Sequence, residues 1–244
     1  MRFRSKRAAR KWVWDALEGE RVARFPFPPQ GRIPNFAGAR EAAERLFDSD
    51  LVQGVRRIKV NPDAPQRYVR ELALRHGMTV VVATPRLRGG FREFSQIPES
   101  EIPRAASLSR GSEFAREVPL RRLRPVDLIV VGSVAATRDG HRCGKGEGYA
   151  DIEFAILREL GHPPVKIVTT VHPLQIVDGF PPDEHDLPVS AIVTPDELIR
   201  VRKPPRAPSR IRWESLTEAD LEAMPVLKEL RKLGASIQRL PRRT

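Results

Sequence analysis

Asp127-Leu128-Ile129-Val130-Val131-Gly132-Ser133-Val134-Ala135-Ala136, followed closely by Arg142-Cys143-Gly144-Lys145-Gly146-Glu147-Gly148-Tyr149-Ala150-Asp151, decides the fold. The first run is apolar, rich in β-branched residues and too short for a good helix, so it reads as a buried strand. Beyond the second, Phe154, Ile156, Leu157 and Leu160 recur at helical spacing, and Gly161-His162-Pro163-Pro164 supplies the stop. The unit is strand, glycine loop, helix. Glycine at every second position removes Cβ atoms, so backbone N–H groups can approach an anion where the helix dipole also favours negative charge. Gly-x-Gly-x-Gly is neither the dinucleotide fingerprint Gly-x-Gly-x-x-Gly nor the Walker pattern ending in Gly-Lys-Ser/Thr. On spacing alone, an ordinary flexible turn explains the three glycines equally well.

Working outward, Val55 to Val60 reads as a strand, 61–65 as a turn and Gln66 to His76 as a helix that Gly77 closes. Thr79 to Ala83 is a second strand, ended by Thr84-Pro85, and Val165 to Val171 and Ala191 to Thr194 are further strands. Strands alternating with helices predict an α/β fold: an open, mostly parallel, Rossmann-like sheet with helices on both faces. Ligands on such sheets bind beyond the carboxyl ends of the strands, where Asn61, Asp63, Thr84, Arg86 and Arg88 fall. A helix is expected from Ala39 to Phe47, a short one from Ser100 to Leu108, and a helical turn over Pro195 to Leu198. Gly89 to Arg124 otherwise shows little periodicity and reads as a covering loop or an irregular excursion.

A chain of 244 residues, 40% of them hydrophobic, can bury one large core. We read 1–202 as a single domain and 203–244 as a Pro/Arg linker with a helical C-terminal extension packed on it through Leu216, Leu221, Met224, Leu227 and Leu230. Cys143 is the single cysteine, which excludes an intramolecular disulfide framework. No apolar run approaches the roughly 20 residues that span a bilayer, and the Arg-rich start has no signal-peptide core, so the expectation is a cytoplasmic protein without membrane association. The net charge is +12, and of 43 basic residues only 8 are lysines. Arginine is the better fork for phosphate, so non-specific nucleic-acid binding is open. The charges are scattered, however, and no helix-turn-helix, zinc-finger or RNA-recognition signature is present.

Lys6 and Arg10 stand four apart on a predicted first helix, a spacing that by itself describes a solvated basic face. His172, Gln175, Asp178, Asp183, Glu184, His185 and Asp186 crowd together late in the chain. They lack the helical His spacing of zinc sites, and a hard magnesium ion shared between carboxylates and phosphate suits them better. For Asp151 an N-terminal helix cap is the plainer role, and it is compatible with metal binding.

The glycine stretch resembles the Arg-x-Gly-x-Gly-x-Gly-Tyr-Tyr-Asp signature of the 5-formyltetrahydrofolate cyclo-ligase (methenyltetrahydrofolate synthetase) family. The run 131–135 with 144–151 looks most like that family's methenyltetrahydrofolate synthetase domain-containing branch. The likeness continues through Phe25-Pro26, 32–36, 61–66, 84–88 and His185-Asp186 to 192–195. The resemblance implies an ATP- and Mg2+-dependent ligase that closes 5-formyltetrahydrofolate to 5,10-methenyltetrahydrofolate with release of ADP and phosphate. It further implies nucleotide contacts from Lys6, Arg10, Arg142, Gly144, Lys145, Gly146 and Gly148, a substrate contact from Tyr149, and metal ligands Asp151 and Asp186. Ala150 replaces the second tyrosine, and Glu147 sets a carboxylate beside the expected phosphate. The family's acidic folate contact has no clean counterpart in 61–66. The alternative function is therefore a non-catalytic nucleotide- or folate-binding module, with RNA as a further partner.

Overall fold

The computed structural model describes residues 1–107 and 109–238. Helix α1, Lys6–Gly19, starts where Ser5 Oγ accepts from Ala8 N (3.1 Å) and buries Ala9, Val13 and Leu17. A short antiparallel pair follows, β1 Ala23–Arg24 with β2 Asn35–Phe36, and then α2, Ala39–Phe47. Next come β3 Arg57–Val60, α3 Arg67–Arg75, β4 Thr79–Ala83, β5 Phe91–Phe94, α4 Ile102–Ala106, β6 Arg116–Val118 and β7 Leu128–Val131. The hairpin β8 Ala135–Thr137 and β9 Arg142–Cys143 leads to α5, Tyr149–Glu159. The chain finishes with β10 Lys166–Thr170, β11 Ile176–Val177, β12 Ala191–Val193, β13 Leu198–Arg200, α6 Glu218–Ala223 and α7 Pro225–Gln238.

Eight strands form one sheet in the order β13-β12-β10-β7-β3-β4-β5-β6, in which β12, β10, β7, β3 and β4 are mutually parallel, β13 and β5 run antiparallel to them, and β6 pairs antiparallel with β5. The predicted mostly parallel sheet is present, and the alternation of its side chains shows why it is covered twice. Val80, Val82, Leu128 and Val130 pack with Val69, Ala73 and Leu74 of α3 and Leu46 of α2. Val81, Ala83, Ile129 and Val131 point the other way, onto Phe154, Ile156 and Leu157 of α5 and onto Leu221 of α6 and Leu227 and Leu230 of α7. Gly77, at φ +69°, closes α3 as expected.

Three expectations are corrected. The run 127–136 is not one strand: β7 ends before Gly132, and Ala135–Thr137 joins a separate small sheet ordered β11-β8-β9. A Cβ on Gly132 would stand 2.5 Å from Asp63 Oδ2, so the break is where the backbone must pass close to a neighbouring loop. The hairpin β8–β9 consequently lies between the buried strand and the glycine loop. Second, Pro195 to Leu198 makes no helical turn, because Thr194 Oγ1 accepts from Asp196 N and Glu197 N and reverses the chain into β13. Third, residues 89–124 are not simply a covering loop: β5 and β6 extend the sheet antiparallel beyond β4, and their short, charged segments carry no legible period. The predicted helix over Ser100 to Leu108 is α4 with a preceding 3-10 turn at Glu99–Glu101, and Leu108 lies outside the described residues, as do 239–244 of the expected extension. No helix among the described residues is long and apolar enough to cross a membrane.

Candidate functional site

The chain enters the sheet at β3, adds β4 on one side, then returns to place β7 on the other, so the strand order switches between β3 and β7. Open α/β sheets bind ligands at this switch. A cavity of about 540 Å³ opens there, bounded by Asn61 and Asp63 after β3, Thr84 and Arg86 after β4, Gly132 after β7, and the whole loop Gly144 to Gly148. Arg88, expected at the same strand ends, is exposed and is not among the lining residues.

The glycine loop is shaped for a close approach. Gly146 (φ +112°) and Gly148 (φ +70°) occupy backbone conformations that L side chains rarely adopt. A Cβ on Gly144 would meet Arg142 Nη2 at 2.7 Å. Gly148 is the N-cap of α5 and offers no side chain to the helix terminus, leaving its first N–H groups to a ligand. Asp151 is therefore not the cap. Its Oδ1 accepts from Leu187 N (2.8 Å) and approaches Arg142 Nη1 (3.4 Å), while Oδ2 has no partner among the described residues.

Burying Val13 and Leu17, worth ~1.5–3 kcal/mol each, holds α1 over the small sheet and aims its basic pair at the loop. Lys6 and Arg10 both line the cavity, Arg10 Nε donates to Gly144 O (2.7 Å), and Lys6 Nζ pairs with Asp186 Oδ1 (2.5 Å). Arg142, 3% exposed, donates to Ser133 Oγ (3.1 Å) and Gly132 O (3.1 Å) and so ties the end of β7 to the loop. Lys145 Nζ pairs with Glu147 Oε2 at 2.8 Å within the loop, both partly exposed, so Glu147 has a basic partner and Lys145 is not free-standing. Half-buried Tyr149 lines the cavity and packs on the core side of α5. Cys143 also lines it, with burial pushing its thiol up and away from the reactive thiolate.

Asp151 and Asp186 present hard oxygen donors to one cavity, and Asp186 Oδ2 also accepts from Asp183 N (2.8 Å). Among the described residues no group of three or more His, Cys, Asp or Glu is arranged to hold a metal. Two carboxylates completed by phosphate oxygens and water fit magnesium, which keeps several waters and takes few protein ligands.

Sequence reasoning missed the floor of the cavity. Lys59 and Glu153, 1% and 5% exposed, form an ion pair between β3 and α5, and Lys59 Nζ also donates to Asn61 Oδ1 (2.7 Å). Buried Arg70 donates to the carbonyls of Asn61 (2.6 Å), Asp63 (3.1 Å) and, through Nε, Ala106 (3.1 Å); burial lowers its pKa to about 9. This grip fixes the loop after β3 and places Asp63 against Gly132. Asp63 stands in the segment where the family's acidic folate contact has no clean counterpart, and burial, then the nearby Glu153, push its pKa up to about 6. The only signal for it in the sequence was its position at a strand end.

A model described as the 5-formyltetrahydrofolate cyclo-ligase family matches residues 4–195. The chain is 42% identical over 237 residues to a methenyltetrahydrofolate synthase domain-containing protein of Mus musculus, covering 93% of this chain and 63% of that protein. It is 33% identical over 81 residues to the 5-formyltetrahydrofolate cyclo-ligase of Escherichia coli (strain K12), covering 33% of this chain and 41% of that enzyme. The NMR structure of Aquifex aeolicus 5,10-methenyltetrahydrofolate synthetase superposes with a TM-score of 0.52 at 16% identity, over 86% of this chain and 99% of that one, which is a likeness of fold. The chain spans about three fifths of the length of the mouse relative it matches.

Proposed function

The chain belongs to the 5-formyltetrahydrofolate cyclo-ligase family, and from that premise we propose that it closes 5-formyltetrahydrofolate to 5,10-methenyltetrahydrofolate at the expense of ATP. The observation that carries this reading is the convergence of Lys6, Arg10, Arg142 and the uncapped start of α5 on one cavity at the sheet's switch point. In the reaction the formyl oxygen takes the γ-phosphoryl group of ATP, N10 bonds to the formyl carbon, and phosphate departs with the former formyl oxygen. Transfer of this kind needs positioning and charge stabilisation more than covalent help from the protein.

Backbone N–H groups of Gly146 to Gly148 and the guanidinium of Arg142 receive phosphate oxygens in this scheme, with Lys6 and Arg10 closing over them from α1. Tyr149 contacts the substrate. Asp151 and Asp186 would hold magnesium, whose chemistry when bound is to neutralise charge developing on the transferring group. Lys6 exchanges its carboxylate partner for phosphate when nucleotide enters, because Asp186 serves both.

One observation favours a second reading, a non-catalytic nucleotide- or folate-binding module: Glu147 occupies the Lys145 ammonium inside the loop itself. Titration with Mg-ATP alongside a methenyl-product assay separates the two. The ligase reading expects ATP binding and methenyl product, with product lost in Asp151→Asn. Saturable ATP binding with no product at any enzyme concentration would leave the binding module.

A further inference from the structure

Beside the glycine-loop cavity lies a second one of about 460 Å³, edged by Phe25, Arg32, Arg67 and Tyr68. Ile33, Pro62, Asp63 and Lys145 line both, and among the described residues Asp63 is the carboxylate common to the two. Its Oδ2 and the Oε1 of Gln66 crowd one point over Gly132, 2.5 and 3.0 Å from where a Cβ would stand. Gln66 Oε1 is fully buried and has no donor. An ionised Asp63 sets a second, fully charged acceptor near this unsatisfied one, so the pocket favours the protonated carboxyl. The carbonyl of Gly132 is held in turn by Arg142, so this carboxyl stands next to the groups assigned to phosphate.

We propose that Asp63 is a catalytic residue, the base that accepts the proton of N10 as the ring closes. The inference rests on the ligase function proposed above. In the step, the N10–C bond forms and the N10–H bond breaks with its proton passing to Asp63. The C–O bond to the phosphoryl group then breaks, and its electron pair leaves on phosphate. No further oxidant, reductant or co-reactant is needed. A general base works best with a pKa near the working pH, and the environment of Asp63 provides this. Burial and Glu153 of α5 raise its affinity for protons, while Lys145 of the glycine loop, Arg70 of α3 and Lys59 of β3 pull the other way, leaving it at about 6.

The test is rapid mixing of wild type, Asp63→Asn and Asp63→Glu with Mg-ATP and 5-formyltetrahydrofolate, following ADP and methenyl product separately across pH, with a ¹³C-carboxyl NMR titration of the free protein. The proposal expects Asp63→Asn to form ADP in the first turnover at the wild-type rate. Methenyl formation then falls ~10²- to 10⁴-fold, KM changes little, and the acid limb near pH 6 disappears. Asp63→Glu restores that limb, and the Asp63 carboxyl of the free wild type titrates near 6. Asp63→Asn with wild-type product rate and acid limb overturns the inference and leaves the ligase function standing, as does a variant affected in KM alone. Wild type that makes neither ADP nor methenyl product overturns the ligase function and this step with it.

Discussion

Replacing Asp63 by asparagine is expected to stabilise the folded protein at neutral pH. The carboxyl is half-buried, lies against Gly132 and binds its proton up to about pH 6, against 3.8 for an unhindered aspartate. Between those values the folded state holds more protons than the unfolded chain, so its stability is full below pH 3.8 and is lost as pH rises through 6. Each tenfold change in proton affinity is worth about 1.4 kcal/mol, so ionising Asp63 costs the fold at most about 3 kcal/mol. Asparagine keeps the shape and carries no charge. Urea unfolding of wild type and Asp63→Asn at pH 4, 5, 6, 7 and 8 isolates this group, because other titrations cancel in the difference. The two proteins are expected to agree near pH 4 and to separate by up to about 3 kcal/mol above pH 6, the variant being the more stable. A difference that does not vary with pH, or a variant that loses ground as pH rises, would refute the placement of Asp63.

Other substitutions probe the rest of the site. Glu147→Gln releases Lys145 from its 2.8 Å partner and is expected to leave Mg-ATP affinity unchanged or a few-fold tighter by calorimetry, at a stability cost under ~1 kcal/mol because the pair is solvent-exposed. Asp151→Asn is expected to weaken magnesium-dependent nucleotide binding and abolish turnover; wild-type behaviour there, with a marked loss in Glu147→Gln, would remove the metal assignment. Glu153→Gln removes the counter-charge of the buried Lys59 ammonium, and denaturant unfolding should show a loss of up to ~3–5 kcal/mol.

The five parallel strands were legible because strands buried on both faces are continuous apolar runs, as Thr79-Val80-Val81-Val82-Ala83 is. Edge strands such as Arg116–Val118 carry no such signal: one side faces solvent, and their pairing is decided by the neighbour they meet. The break at Gly132 was hidden because its cause, the Asp63 carboxylate, comes from a loop far away in sequence. Spacing alone left the glycine loop, Lys6 and Arg10 open to plainer readings and only the family resemblance singled them out, yet α1 does bring both cations to the cavity. Lys59 with Glu153 could not be read, since a buried ion pair between a strand and a helix leaves no local pattern.

The central claim, that this cavity carries the formyl oxygen onto phosphate, is tested most directly with 5-formyltetrahydrofolate labelled with ¹⁸O in the formyl group. In a single turnover with Mg-ATP, the account predicts one ¹⁸O in the inorganic phosphate for each methenyltetrahydrofolate formed. Methenyl product accompanied by unlabelled phosphate, with the ¹⁸O in water, would contradict it.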